Sequence, residues 1–354
     1  MSASAHAERP LIHRPAVARR WAAAVGLPLS VLAVAALSLA SGRFAVPLSD
    51  VLGILAGQVM PIDQSWTDSQ ERVVLLVRLP RVMLGMLVGA GLALCGAVLQ
   101  ALFRNPLVSP DILGVSAGAS FGGALALAFG LGSGGLVMGA GGFGVVALLV
   151  VFAVSRVKGG SPTLMIVLSG VVVSAFFSAL VSLLTYIADP YTELPGIVFW
   201  LLGSLATATG GKVALGAVPI LAGAAIMLAL RWRINVLSLG DDDSRTLAVR
   251  PERLRWLLLG TSAAIVAGTV AVSGGVGWVG LVIPHIARLW VGPDHRVLLP
   301  VSLLLGAGYL AGIDLLARTL TPGEVPLGVL TAILGAPVFF VLLRRSRDRT
   351  WADA

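Results

Sequence analysis

Charge is scarce in this chain. Only 12% of its 354 residues are Asp, Glu, Lys or Arg, while 57% are hydrophobic, and mean hydropathy is +0.95. A soluble domain covers itself with about 25% charged residues, so a soluble globular fold is excluded. The apolar content excludes disorder as well. Cys95 is the only cysteine, which rules out a disulfide framework. Acidic residues number 17 against 43 glycines, and those glycines follow no collagen-like period.

Chemical motifs are missing too. A phosphate-binding loop needs G-x-x-x-x-G-K-[ST], but the one Gly-Lys pair, Gly211-Lys212, is followed by Val213, so the chain carries no ATP site. There is no H-E-x-x-H, and His6, His13, His285 and His295 share no metal-ligand spacing. The run Asp241-Asp242-Asp243 reads as a solvated helix start rather than a metal site, because successive carboxylates on a helix point in different directions. The sequence therefore predicts no catalytic residue, no metal ligand and no bound cofactor.

What the chain does have is long charge-free runs, and about 20 apolar residues cross a bilayer. Ten spans are expected. The first is 21–40, after a basic tail; a signal peptide is the alternative, but its length and the lack of a convincing cleavage site favour a retained helix. The others are 82–103, two spans within 112–155 with the turn at the glycine-rich 130–144, then 163–188, 213–230, two spans within 256–287 split at Ser273-Gly274-Gly275, 297–318 and 325–343. Residues 191–211 are expected to form a short surface helix. The whole chain reads as one all-α, polytopic transmembrane domain over 1–354. It has an N-terminal tail (1–20), a loop (231–255) and a C-terminal tail (344–354) on one side.

Basic residues set the orientation. With both termini cytoplasmic, only Arg43, Arg72, Arg78, Arg81, Lys212 and Arg318 of the 25 Lys and Arg fall outside. The net charge of +8 is thus spread over loops as a topology signal, which argues against a nucleic-acid partner. Two weaker patterns remain open. The segment Gly96 to Arg104 echoes Gly280 to Arg288 in the placing of Gly, Val and Arg, either as a repeat or by chance. The loop from Leu239 to Val249 predicts a short amphipathic helix with acids at its start, and Arg250-Pro251 a second short helix. Together they form either a partner surface or a plain connector at the lipid headgroups.

Several blocks then fall in one order: Arg78-Leu-Pro-Arg81, Gly89-Ala-Gly-Leu-Ala93, Gln100, Arg104-Asn-Pro-Leu107, Gly114-Val-Ser-Ala-Gly118, Phe199-Trp-Leu-Leu-Gly203, the Leu239 to Val249 loop, Gly280-Leu-Val-Ile-Pro-His-Ile-Ala-Arg288, Asp294-His-Arg296 and Pro326-Leu-Gly328 with Gly335-Ala-Pro337. In these the chain resembles the FecCD-type permeases, the membrane subunits of ABC importers (type II importer fold) for iron chelates, haem and cobalamin. The resemblance runs from about residue 48 to 343. It implies ten helices per subunit and a second permease subunit, giving a homodimer, in the inner membrane. It also implies two cytoplasmic ABC ATPases that hold ATP and Mg, and a periplasmic or lipid-anchored binding protein. The cargo expected from it is an iron chelate, ferric siderophore first, with haem, cobalamin or an oxyanion as alternatives. A membrane scaffold or intramembrane enzyme is the competing class, disfavoured because the spans are nearly free of ionisable groups.

Residue by residue, the resemblance assigns ATPase coupling to Gly240, Asp241, Asp243, Ser244, Arg245, Leu247, Val249 and Arg250. It assigns binding-protein docking to Arg78, Arg81 and Arg318, with an Asp314–Arg318 pair on one helix as the plainer reading of the last. A cytoplasmic gate falls at Ser161, Thr163 and Leu164, where an ordinary tight turn is the alternative. The family usually has glycine where this chain has Ala248, so the end of the coupling helix is expected to differ slightly. Gln100 and Asn105 read as interhelical hydrogen-bonding amides, and His285 and Cys95 as packed structural residues.

Overall fold

Apolar runs flanked by arginine and proline fold here into helices, and the computed structural model describes residues 22–155 and 162–352. The helices are α1 (Leu27–Ala40), α2 (Leu48–Gly57), α3 (Asp68–Arg72), α4 (Leu79–Leu102), α5 (Val115–Ala128), α6 (Gly132–Ser155), α7 (Pro162–Ile187), α8 (Leu194–Leu201), α9 (Gly210–Ala229), α10 (Arg231–Leu239), α11 (Asp241–Thr246), α12 (Pro251–Ser273), α13 (Val279–Val291), α14 (His295–Thr319) and α15 (Leu327–Ala352). No strand occurs among the described residues. This is the all-α membrane fold that the sequence predicts, and each of the ten expected spans has its helix: α1, α4, α5, α6, α7, α9, α12, α13, α14 and α15. Among the described residues, six helical stretches are long and apolar enough to cross a membrane by themselves, and the shorter apolar helices include α1, α5 and α13.

The helix at the centre is α4. Twenty of its residues are buried, and it packs on α9, α12, α13 and α14. Such burial on every side follows from its composition, apolar all round with small residues that let neighbours approach. A Cβ at Gly96 would lie 1.8 Å from the carbonyl oxygen of Gly280, and one at Gly89 would lie 2.1 Å from that of Gly306. The two echoing segments, Gly96 to Arg104 and Gly280 to Arg288, thus meet face to face where α4 crosses α13. α6 and α7 bury far less of themselves than α4 and α12 do.

Three boundaries differ from expectation. The turn placed over 130–144 is only the short link around Phe129 to Leu131, and α6 already starts at Gly132. Its glycines are helical because they make a crossing: Gly122 and Gly139 oppose each other, and a Cβ on either would meet the other's carbonyl oxygen within 2.5 Å. Second, Pro251 opens no separate short helix. It is the first residue of α12, which runs unbroken to Ser273, since proline at the first helical position loses no hydrogen bond. Third, α2 and α3 form a small subdomain before α4, with Trp66 packed over Gly53 and Gly57, which the run lengths did not predict.

Candidate functional site

α4 is 24 residues long, about 36 Å at 1.5 Å per residue, and each of its ends carries a polar cluster. At its start, Arg81 Nε donates to both oxygens of Asp314 at 2.9 and 3.0 Å, while Nη1 and Nη2 clasp Glu324 Oε1 and Oε2 at 2.7 and 2.9 Å. Arg81 is 7% exposed and Asp314 1%; Glu324 keeps about 30% of its side chain exposed. The neighbouring arginines cap a helix. The last carbonyls of α1 have no helical partner, and they carry the negative end of its dipole. Arg78 donates to Leu39 O at 2.6 Å, to Ala40 O at 2.9 Å and to Phe44 O. Arg318 donates to Ser41 O and Ser38 Oγ, each at 2.7 Å, and to Ser38 O.

The three docking candidates therefore come together, and their guanidinium groups are engaged within the chain, tying α1, α4, α14 and the loop before α15 into one unit. The expected Asp314–Arg318 contact is present at 3.7 Å, but the hydrogen bonds of Asp314 go to Arg81. Glu324 was missed because it sits in an ordinary-looking loop. Asp314 was legible as a carboxylate within an apolar span, but its partner on another helix was not.

At the far end of α4 lies the loop expected to couple to an ATPase. Gly240, at φ 138°, ends α10, and α11 follows at once. Asp241 accepts from Arg255 Nη2 at 3.0 and 3.2 Å, and Arg104, just beyond α4, lies 3.9 Å away. Ser244 is fully buried, donating to Val236 O at 3.0 Å and to Gly240 O. Arg245 pairs with Asp242 at 2.8 Å on the exposed side. The two apolar residues expected on one face separate: Leu247 is 47% exposed, whereas Val249 is 7% exposed and belongs to the core. The reason is the turn between them, where Val249 N returns to Ser244 O at 2.9 Å and Ala248 takes φ 58°. Ala248 thus holds the left-handed conformation that glycine would take without strain.

Two further contacts at this end connect helices. Gln100 Oε1 accepts from Arg288 Nη2 at 3.0 Å and its amide donates to Leu281 O at 3.4 Å, as expected of an interhelical amide. Asn105 departs from that expectation: it is exposed, and its Oδ1 accepts from Leu107 N two residues on, at 2.9 Å, which closes a local turn rather than joining helices. Asn235 on α10 donates to Asp294 at 2.6 Å and accepts from His295 N at 2.7 Å. The Arg296 guanidinium, donating to Asp294 at 2.9 to 3.1 Å, holds that carboxyl well below the usual carboxylate range. His285 is buried against Phe339, and Cys95 donates weakly to Ser262 O at 3.7 Å. No group of three His, Cys, Asp or Glu suited to a metal occurs among the described residues. Of the gate candidates, Ser161 and the side chain of Thr163 lie outside the described residues, and Leu164 is exposed on the first turn of α7.

The model of the FecCD transport family matches residues 30–345. The chain belongs to the FecCD transport family. It is accordingly a multi-pass membrane permease of the ABC importer type, and its partners are ATPase and substrate-binding components. The chain is 44% identical over 318 residues to the molybdate import system permease protein MolB of Haemophilus influenzae, covering 90% of this chain and 94% of that one. It is 36% identical over 330 residues to the ferric enterobactin transport system permease protein FepD of Escherichia coli, covering 92% and 96%. A solved structure described as an inward-facing conformation of a metal-chelate type ABC transporter superposes with a TM-score of 0.81 at 44% identity, covering 90% of this chain and 98% of that chain.

Proposed function

We propose that this permease carries a tetrahedral metal oxyanion of the molybdate class across the inner membrane. The observation that supports this cargo is extent: the 44% identity to the molybdate permease spans 90% of this chain, whereas the same identity to a probable iron chelatin permease of Helicobacter pylori spans 79%, and the ferric enterobactin permease is 36% identical. A ferric siderophore is the second reading, favoured by the likeness to a metal-chelate type transporter. Haem and cobalamin rank below both.

The mechanism we propose needs no chemistry from this chain. Two copies enclose the pathway, both termini lie in the cytoplasm, and ATP with Mg is held and hydrolysed by a separate subunit. The Asp241 end faces that subunit. Gly240, Asp241, Ser244 and Val249 fix the short α11 to the body, leaving Asp243, Arg245, Leu247 and Arg250 outward. Asp241 bonds Arg255 on α12 and lies beside Arg104 at the end of α4, so a push on α11 reaches both helices directly. The Arg81 end meets the binding protein, and a partner carboxylate would have to displace Glu324 from Arg81 to reach it. Leu164, exposed on the first turn of α7, closes the cytoplasmic mouth.

The test is reconstitution in proteoliposomes with the ATPase and binding protein from the same source. ATP-dependent uptake of labelled molybdate, blocked by excess unlabelled molybdate, is expected. Uptake of a ferric siderophore without molybdate uptake would replace the cargo reading. Hydrolysis of ATP by this chain alone would overturn the division of labour.

A further inference from the structure

Beside the coupling loop, Arg233, Ala248, Val249, Arg250, Arg253, Leu254 and Leu257 line a cavity of about 280 Å³. We infer that this groove is a specific site for the phosphate headgroup of an anionic phospholipid, and that lipid bound there braces the turn at Ala248. Charge is the first observation. Arg245 pairs with Asp242 and Arg255 with Asp241, but Arg233, Arg250 and Arg253 have no hydrogen bond or ion pair among the described residues. Three guanidinium groups from α10, the loop and α12 thus line one groove, and the carboxylates of Asp241 and Glu252 line the adjoining cavity that shares Arg250 and Arg253, leaving Arg233 on the groove side alone. Guanidinium groups in such an array suit a phosphate.

Shape distinguishes a lipid from a small anion. Leu254 and Leu257 line the groove with apolar surface, and Leu257 is about half exposed one turn further into the apolar length of α12. A headgroup on the arginines would therefore have acyl-compatible surface directly beside it. The height is right as well. Trp232, next to Arg233, is 51% exposed. Tryptophan at that level marks a membrane–water boundary, and basic pockets between helices on the cytoplasmic side bind lipid headgroups. The inference rests on the reading of the Asp241 end as cytoplasmic. It adds a ligand where that reading gives only a protein partner, and assigns Arg250 to the lipid.

The experiment uses the full chain with its ATPase in nanodiscs containing phosphatidylglycerol and phosphatidylcholine, and native mass spectrometry reads the lipids retained. Wild type should retain phosphatidylglycerol in preference. One basic residue near an anionic surface is worth roughly a fivefold change in partitioning, so R233Q/R250Q/R253Q should lose on the order of a hundredfold. The matching lysine variants should keep most of the preference. R43Q/R72Q, at the opposite end, should behave as wild type. If the triple variant misfolds, R233Q and R253Q singly carry the test through smaller losses. Equal loss in R43Q/R72Q would overturn the site as a generic charge effect. Displacement of the lipid by millimolar inorganic phosphate would make it a free-anion site. Loss of the ATPase with lipid retention unchanged would give the groove to the protein partner. Labelling of D242C by an impermeant maleimide from the cytoplasmic side checks the orientation separately, so a failure of sidedness is told apart from a failure of lipid binding.

Discussion

Removing Asp314 tests whether the Arg81 cluster holds its end of the bundle together. Its carboxylate, 1% exposed, takes the Arg81 Nε hydrogen bonds at 2.9 and 3.0 Å and lies 3.7 Å from Arg318 Nε. Breaking one partner of a buried pair costs about 3 to 5 kcal/mol, because the other charge is left without compensation. In Asp314→Ala the Arg81 guanidinium still holds Glu324, so the cost belongs at the low end, about 3 kcal/mol. Arg81→Ala should be worse. It strips Asp314 of its hydrogen bonds and leaves Arg318 as the nearest cation, while Glu324 can turn to water. The double variant Arg81→Leu/Asp314→Leu, with no buried charge left in the pair, should recover more than half of the loss, since apolar replacements of buried pairs are often nearly neutral. Equilibrium unfolding in mixed micelles of wild type, Arg81→Leu, Asp314→Leu and the double leucine variant gives the coupling. Additivity within about 0.5 kcal/mol, or an Asp314→Ala protein as stable as wild type, would refute the reasoning.

Ala248→Gly should raise stability by up to about 1 kcal/mol, because relief of a left-handed alanine exceeds the entropy that glycine adds to the unfolded chain; a lower midpoint in thermal unfolding would contradict it. Leu247→Asp should insert normally yet lose the ATPase subunit during purification and with it transport, whereas Val249→Asp should destabilise the permease itself by several kcal/mol in order of magnitude; equal behaviour of the two would abolish the distinction drawn from their burial. Glu324→Gln should bind the binding protein about fivefold more tightly, the equivalent of about 1 kcal/mol for a partly exposed pair, and weaker binding in titration would show that Glu324 is itself a docking group. Asp294→Asn should cost up to about 1 kcal/mol through the lost negative charge beside Arg296 and the positive start of α14, since Asn caps a helix about as well as Asp. The carboxyl is depressed in the folded state, so the stability it adds is present above the ordinary carboxylate pKa and lost as pH falls through the lower folded value. The deficit of the variant should therefore hold from neutral pH to about pH 4 and close only in stronger acid.

Span number was legible because lipid admits no unpaired backbone and few charges, so charge-free length maps helices almost directly. Boundaries were less so. The glycines from 132 to 144 look like a turn when read alone, and become helical only when α5 supplies a facing glycine at Gly122. Pro251 has the same ambiguity: it can open a short helix or a long one, and the run of charges from Glu252 to Arg255 hides the continuity with the apolar stretch beyond. Arg255 is compatible with that continuity because Asp241 meets it from the preceding loop.

The site divides along a similar line. The residue types at both ends of α4 were readable, since arginines at span ends and acids at a helix start follow from local rules. Their direction was not. Arg78, Arg81 and Arg318 look like rim charges open to a partner until the unpaired carbonyls at the end of α1 and the lone Asp314 are brought beside them. Leu247 and Val249 look like one apolar face until the strained Ala248 turns the chain between them. In each case the deciding group lies on another element or in a backbone angle. The same physics joins the two ends. α4 carries Arg81 at one end and is followed directly by Arg104 at the other, and both meet carboxylates on elements that a partner can reach. Displacing Glu324 at one end and moving Asp241 at the other would thus act on one closely packed helix, whose Gly89 and Gly96 crossings leave it little room to bend. Motion of the pathway must then be sought in how α4 and its neighbours shift together.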